Sequence, residues 1–93
     1  MENLEILHKG NQFYIGDEND PAAFISYVPS GEKKIIIDHT IVKKELEGQG
    51  IAGKLLDTLV EWARKEDISV LATCGYAVNK MKDNPEYDDV YMK

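Results

Sequence analysis

Between Lys33 and Cys74 the apolar pattern changes period twice, and that double change limits the fold more than any other feature of the chain. Lys33 to Val42 is a short run dense in β-branched residues, Ile35, Ile36, Ile37, Ile41 and Val42, which favours a strand and is too short for a buried helix. From Gly50 to Glu66 the period is helical. Ile51, Leu55, Leu59 and Trp62 form one row, Ala52, Leu56, Val60 and Ala63 the row beside it, while Lys54, Asp57, Thr58, Glu61 and Arg64 face away. Ile68 to Cys74 then reads as a buried strand. A strand that rejoins its sheet through a helix of this length pairs in parallel.

The segments on either side complete the layout. Glu5 to His8 and Gln12 to Ile15 flank Lys9-Gly10-Asn11, which predicts a hairpin; a polar loop from Gly16 to Pro21 precedes Ala22 to Val28, and Pro29-Ser30-Gly31-Glu32 turns the chain again. Four strands joined by short turns imply an antiparallel meander. After the crossover, Gly75 to about Met81 predicts a short helix, and the polar tail from Lys82 to Lys93 carries Pro85 and the anchors Tyr87, Val90 and Tyr91, which suit a helical turn. The expected fold is α+β with a mixed sheet: a four-strand meander, an amphipathic helix, a parallel strand and a short C-terminal helix. It forms one domain over residues 1–93, whose Trp62 and leucine rows supply the core.

Charge and composition narrow the partners. A net charge of −6 with lysines scattered among carboxylates leaves no basic stripe for nucleic acid and no polybasic surface for a membrane, although a compact basic patch suffices for a small anion. The acidic start MENLEILH has neither the charged nor the apolar region of a secretory signal, and no apolar run approaches membrane-spanning length. A single cysteine, Cys74, fits a reducing cytoplasm, so the expected location is cytoplasmic and the expected state a monomer or weak homodimer. His8, His39 and Cys74 lack short ligand spacing, and no metal is expected.

Glycines at 48, 50 and 53 crowd the start of the long helix, where each costs roughly 1 kcal/mol relative to alanine. No Ser, Thr, Asp or Asn stands at the likely capping position near Gln49, so the first amides need another acceptor. An anion meets that need: free N–H groups and the positive end of the helix dipole converge, and glycine lets its oxygens reach the backbone. Phosphate or pyrophosphate is the first choice. No Gly-Lys-Ser/Thr is present for a P-loop. Gly48-x-Gly50-x-x-Gly53 does match the dinucleotide fingerprint, but Lys43 to Glu47 separate it from the strand and the second strand ends in Cys74 rather than an acid.

The segment Ile41-Val42-Lys43-Lys44-Glu45-Leu46-Glu47-Gly48-Gln49-Gly50-Ile51-Ala52 resembles the coenzyme A signature of the GNAT acetyltransferase superfamily, in which a strand ending in valine leads to R/Q-x-x-G-x-G/A and a long helix. Cys74-Gly75-Tyr76 and Asn84-Pro85-Glu86-Tyr87 are similar to elements of a short stand-alone subfamily, so the resemblance covers nearly the whole chain. It implies that backbone around Gly48, Gln49, Gly50, Ile51, Ala52 and Gly53 holds the pyrophosphate of acetyl-CoA and that Ile41 and Val42 pair with the pantetheine arm. Asn79 and Lys80 on the last helix either touch the cofactor or form a solvated helix face. Glu47 departs from the family's Arg or Gln and repels a polyanion; Lys43, Lys44 and Lys54 offset it.

Three residues carry the expected chemistry. A free lysine with a pKa of about 10.4 needs roughly 4 to 5 kcal/mol to lose its proton at neutral pH, so acetyl transfer calls for a base, and His39 on the acetyl-bearing strand is placed to serve. A hydrogen-bonded histidine in a half-buried strand explains His39 equally well. By strand alternation Asp38 and Thr40 point to the face opposite His39, placed to bind water or an acceptor, although Thr40 is explained as well or better as a simple β-former. Cys74 is either a nucleophile near the thioester or a small buried side chain. Tyr76 either protonates the departing thiolate or packs on the sheet. The expected function is acetyl transfer from acetyl-CoA to an amine, free or on a protein, with a non-catalytic acyl-CoA-binding or sensing module, or slow hydrolysis through Cys74, as the alternatives. The chain also lacks the helices and strands that usually build an acceptor pocket in this family.

Overall fold

The computed structural model describes residues 5–82 and 84–91. Strands β1 (Leu7–Lys9), β2 (Gln12–Asp17), β3 (Asp20–Pro29) and β4 (Lys34–Val42) form the antiparallel meander; a 3-10 turn, Lys44–Leu46, leads into α1 (Ile51–Glu66), and β5 (Ser69–Ala72) returns parallel to β4. The sheet order is β1-β2-β3-β4-β5. Helix α2 (Gly75–Lys82) and a 3-10 turn at Pro85–Tyr87 close the chain. The turn is set by Pro85 at its start and by the Asn84 side chain, which accepts from the Glu86 amide. Of the sequence segments discussed above, the first four residues of the acidic start and positions 83, 92 and 93 of the tail lie outside the described residues. Within the described residues, no helix is long and apolar enough to cross a membrane.

Helix α1 buries the predicted stripe. Leu55, Leu56, Leu59 and Ala63 pack on Ile25, Ile37 and Val70, all shielded from solvent. Its C-terminal carbonyls are closed by Asp67 in the left-handed conformation, whose amide reaches back to Ala63 and Arg64, and Arg64 and Lys65 complement the dipole in the last turn.

The structure departs from the periodicity in several places. The polar loop expected from Gly16 to Pro21 is instead a tight hairpin: β2 runs on to Asp17 and β3 starts at Asp20, with Gly16 paired to Pro21. Strand β5 stops at Ala72 because the amides of Thr73 and Cys74 both turn onto the Ile37 carbonyl, leaving Cys74 at the base of α2 rather than in the ladder. In β4, the register slips by one residue: Ser26 pairs with His39 but Tyr27 with Ile37, so Asp38 is the extra residue of a bulge. Asp38 therefore does not point away from His39. It shares the outer face with it, 3.4 Å from the imidazole and accepting a 2.7 Å hydrogen bond from the Ser26 hydroxyl. Thr40, opposite buried Ile25, turns to the α1 side as expected.

The three-residue edge strand β1 is pinned by His8, whose ring stacks on Phe13 at 4.0 Å, meets the edge of Trp62 at 4.9 Å and lies 2.8 Å from the Tyr27 hydroxyl. Burial lowers the His8 pKa. Its folded value thus lies below the unfolded one, so the stability it contributes is complete above about pH 6.5 and is lost as pH falls through the folded value. Thermal unfolding at pH 5 and pH 7.5 is expected to show a smaller acid loss in His8→Phe than in wild type; equal losses would contradict this role.

Candidate functional site

At the end of β4 the Lys43 amide still bonds to Ala22, and the chain then coils through Lys44–Leu46. Gly48 follows with φ +82° and Gly50 with φ +71°. A Cβ at either would meet no atom within 4 Å. Left-handed backbone, costing an ordinary residue roughly 1–2 kcal/mol, therefore selects glycine at both positions, rather than crowding. Gly53 differs: a Cβ there would lie 3.6 Å from the Tyr76 hydroxyl, an ordinary van der Waals contact, so neither crowding nor backbone conformation requires glycine at that position.

Gly50 caps α1 without a side-chain acceptor, and the first amide to be satisfied within the helix is that of Lys54, bonded to the Gly50 carbonyl at 3.1 Å. Among the described residues, no acceptor stands opposite the amides of Gly48 to Gly53. They sit at the positive end of a 16-residue helix. Beside them lies a cleft of about 250 Å³ lined by Val42, Leu46, Glu47, Gly48, Gly50, Ile51, Ala52, Gly53 and Tyr76. Unpaired donors at one end and an apolar wall of Val42, Leu46 and Ile51 beside them suit a ligand with an anionic part and an aliphatic part.

Most of the residues expected at the site meet here, and the rest do not. Gln49 and Lys54 are exposed beside the cleft without lining it, Asn79 is exposed on α2, and Ile41 is 48% exposed on the opposite face of the sheet. Lys43 is engaged with Asp20 at 3.0 Å. The sequence reading missed Leu46, whose signal was a lone apolar residue inside an otherwise charged linker.

Cys74 is half-buried, with its sulfur 3.4 Å from the Thr40 hydroxyl. Burial pushes the thiol up, but the Thr40 side chain and the backbone of Ala77, Tyr76 and Thr40 outweigh it, and the pKa ends below the ordinary thiol value. Burial raises the Tyr76 phenol, helped by Asp57 and Cys74, so it remains an O–H donor at neutral pH. His39 stands on the other face, away from Cys74 and Tyr76. Pairing of β4 with β5 ends at Ile37 and Ala72, and β4 runs on to Val42 without a paired strand on that side among the described residues. No group of three metal-ligating side chains occurs among the described residues.

Comparison with known proteins bears on this geometry. Residues 12–90 match the family model of the GCN5-related N-acetyltransferases. Protein NATD1 from Xenopus tropicalis is 32% identical over 63 residues, which are 68% of this chain and 58% of that protein, so the match spans little more than half of its length. A GCN5-like protein from Staphylococcus aureus, solved by NMR, superimposes with a TM-score of 0.83 at 44% identity, covering 99% of this chain and 91% of that one. The ribosomal-protein-alanine N-acetyltransferase of Brucella melitensis shares the fold, with a TM-score of 0.57 at 18% identity over 81% of this chain and 57% of its own.

Proposed function

The chain belongs to the GCN5-related N-acetyltransferase family, and on that premise we propose that it binds acetyl-CoA at the α1 start and transfers acetyl to an amine. The observation that carries this reading is the set of unpartnered amides from Gly48 to Gly53 at the head of a long helix. Those amides hold the diphosphate. Val42 with Leu46 and Ile51 forms the wall for the aliphatic arm, whose amides pair with the free edge of β4 at Ile41 and Val42. Ala52 lines the cleft and Gln49 stands beside it, with Lys44 and Lys54 supplying positive charge at the rim. When bound, acetyl-CoA supplies an activated thioester carbonyl. Tyr76 would hold the proton that the leaving sulfur takes as the amine nitrogen bonds to the carbonyl carbon, and His39, standing on the other face, would take the proton the amine sheds through water.

Thermal unfolding tests this directly. Acetyl-CoA at 100 times its dissociation constant is expected to add about 2.7 kcal/mol, or roughly 10 to 20 °C for a chain of this size. No shift, or an equal shift from NAD, would contradict it. Glu47 sets a second expectation, since its exposed carboxylate stands at the lip of the cleft. Like-charge repulsion at close range in water is about 1 kcal/mol, so Glu47→Gln should tighten acetyl-CoA binding about fivefold at low salt, with the gain shrinking as salt rises.

The lowered thiol pKa and the Thr40 contact favour one further reading, in which Cys74 itself takes the acetyl group. Following free thiol and protein mass during turnover separates the routes: a persistent mass gain on Cys74 supports the covalent route, whereas unchanged turnover in Cys74→Ala leaves direct transfer.

A further inference from the structure

The sheet has two faces, and α1 covers only one. On the other, no helix lies among the described residues, and the cross-strand register aligns two apolar rows there. Tyr14, Phe24 and Ile41 form the first across β2, β3 and β4, and Val28, Ile36 and Leu71 form the second across β3, β4 and β5. Ile41 and Val28 are 48% and 42% exposed, Phe24, Ile36 and Leu71 are half-buried, and Tyr14, at 6%, is already covered. Between the rows lies a single polar band in which the β4 bulge sets Asp38 next to His39, with the Asp38 carboxylate fixed by the Ser26 hydroxyl at 2.7 Å.

That arrangement selects its occupant by charge. A neutral apolar partner would cover the Asp38 carboxylate without a counter-charge, which is costly. A second copy of this chain, related by a twofold axis, would bring one Asp38 towards another on molecules that each carry −6. A cation flanked by apolar groups fits both features. Spacing defines it further: Phe24, Ser26 and Val28 occupy alternate positions of β3, so the two rows lie about 13 Å apart with the carboxylate between them. An extended segment presents side chains on one face at the same two-residue interval.

Resting on the acetyl-transfer reading above, we infer that the acceptor is a lysine of a protein segment with the pattern Φ-x-Lys-x-Φ, Φ being a large aliphatic residue. It lies extended on the face of the sheet opposite α1, with its ammonium on Asp38. His39 is beside that ammonium, and the end of β4–β5 pairing past Ile37 and Ala72 is where the lysine would have to pass to reach the Tyr76 side. Recognition thus uses the sheet itself in place of a walled pocket.

The test uses the full chain and four probes: the blocked peptide Leu-Ser-Lys-Ser-Leu, the same peptide with norleucine for lysine, the same with serine for both leucines, and spermidine. Amide NMR without coenzyme reads binding. The leucine-lysine peptide is expected to move the amides of Phe24 to Val28 and Ile36 to Ile41. The norleucine and serine peptides should bind at least tenfold more weakly, and Asp38→Asn should weaken the lysine peptide at least tenfold while leaving the norleucine peptide unchanged. In turnover, kcat/KM for the leucine-lysine peptide should exceed that for the serine peptide and for spermidine at least tenfold. Equal use of spermidine or the serine peptide would overturn the inference, as would shifts confined to another surface. The norleucine comparison leaves the protein unaltered, so it holds even if Asp38→Asn folds poorly. If acetyl-CoA moves Gly48 to Gly53 but the peptide leaves the outer face unmoved, the acceptor inference fails alone. If the peptide binds there but acetyl-CoA moves nothing, the coenzyme reading fails and the face is no acceptor site.

Discussion

Gly50→Val is expected to weaken acetyl-CoA binding at least tenfold and to lower the melting temperature of the free protein by several degrees. The second effect follows from the backbone. Gly50 sits at φ +71° and ψ +22°, where an L-residue pays roughly 1–2 kcal/mol and a β-branched one more. For a chain of this size each kcal/mol is worth about 4–8 °C. The first effect follows from position: Gly50 lines the cleft, and a Cβ there projects into open space, so no packing within the protein would improve and the added methyls stand where an anion must approach. Alanine at 50 should bring the same backbone penalty and a smaller loss of affinity. Calorimetric titration and thermal unfolding separate the two effects. A valine variant that melted lower yet bound acetyl-CoA as tightly as wild type would show that this glycine serves the turn alone.

Tyr87→Ala is expected to be the most destabilising single change in the tail, by about 3–5 kcal/mol, out of a total of roughly 5–14 kcal/mol for a chain of this length. Tyr87 is 4% exposed within the core, and its hydroxyl donates to the Asp57 carboxylate at 2.5 Å. Burial and that carboxylate both raise the phenol's pKa, so it stays a donor throughout the physiological range. Arg64 clasps the same segment, bonding the Asp89 carboxylate with two nitrogens and the Glu86 carbonyl with one of them. Tyr87→Phe isolates the hydroxyl and should cost only about 1 kcal/mol, because Asp57 is exposed and water replaces the lost donor. Chemical denaturation of the three proteins measures both quantities. A Phe variant as unstable as the Ala variant would mean that the hydrogen bond, not the ring, holds the tail.

What could be read from the sequence depended on whether the signal was local. The α1 stripe, the isoleucine-rich β4 and the missing helix cap are periodic or compositional, and all three are as expected in the structure. The parallel return of β5 followed from the handedness and length of its crossover. The bulge at Asp38 has no such signature, since Ile37-Asp38-His39 is compatible with unbroken alternation; only pairing with β3 shows that Asp38 and His39 share a face. Of the candidate site residues, those in the glycine turn converge because a short linker and a helix start fix them together, along with Leu46, which was missed. Tyr76 joins them through a contact between α1 and α2 that no local pattern encodes. His39 stands apart from Tyr76 because the two lie on opposite faces of the sheet, which no local pattern shows.

Titrating labelled protein with coenzyme A while following backbone amide resonances tests the central claim most directly. Saturable movement of Gly48, Gly50, Ile51, Ala52 and Gly53, with smaller shifts along Ile41 and Val42, is the predicted result. Millimolar coenzyme A that left those five amides unmoved would contradict the diphosphate site and the acetyl-transfer reading built on it.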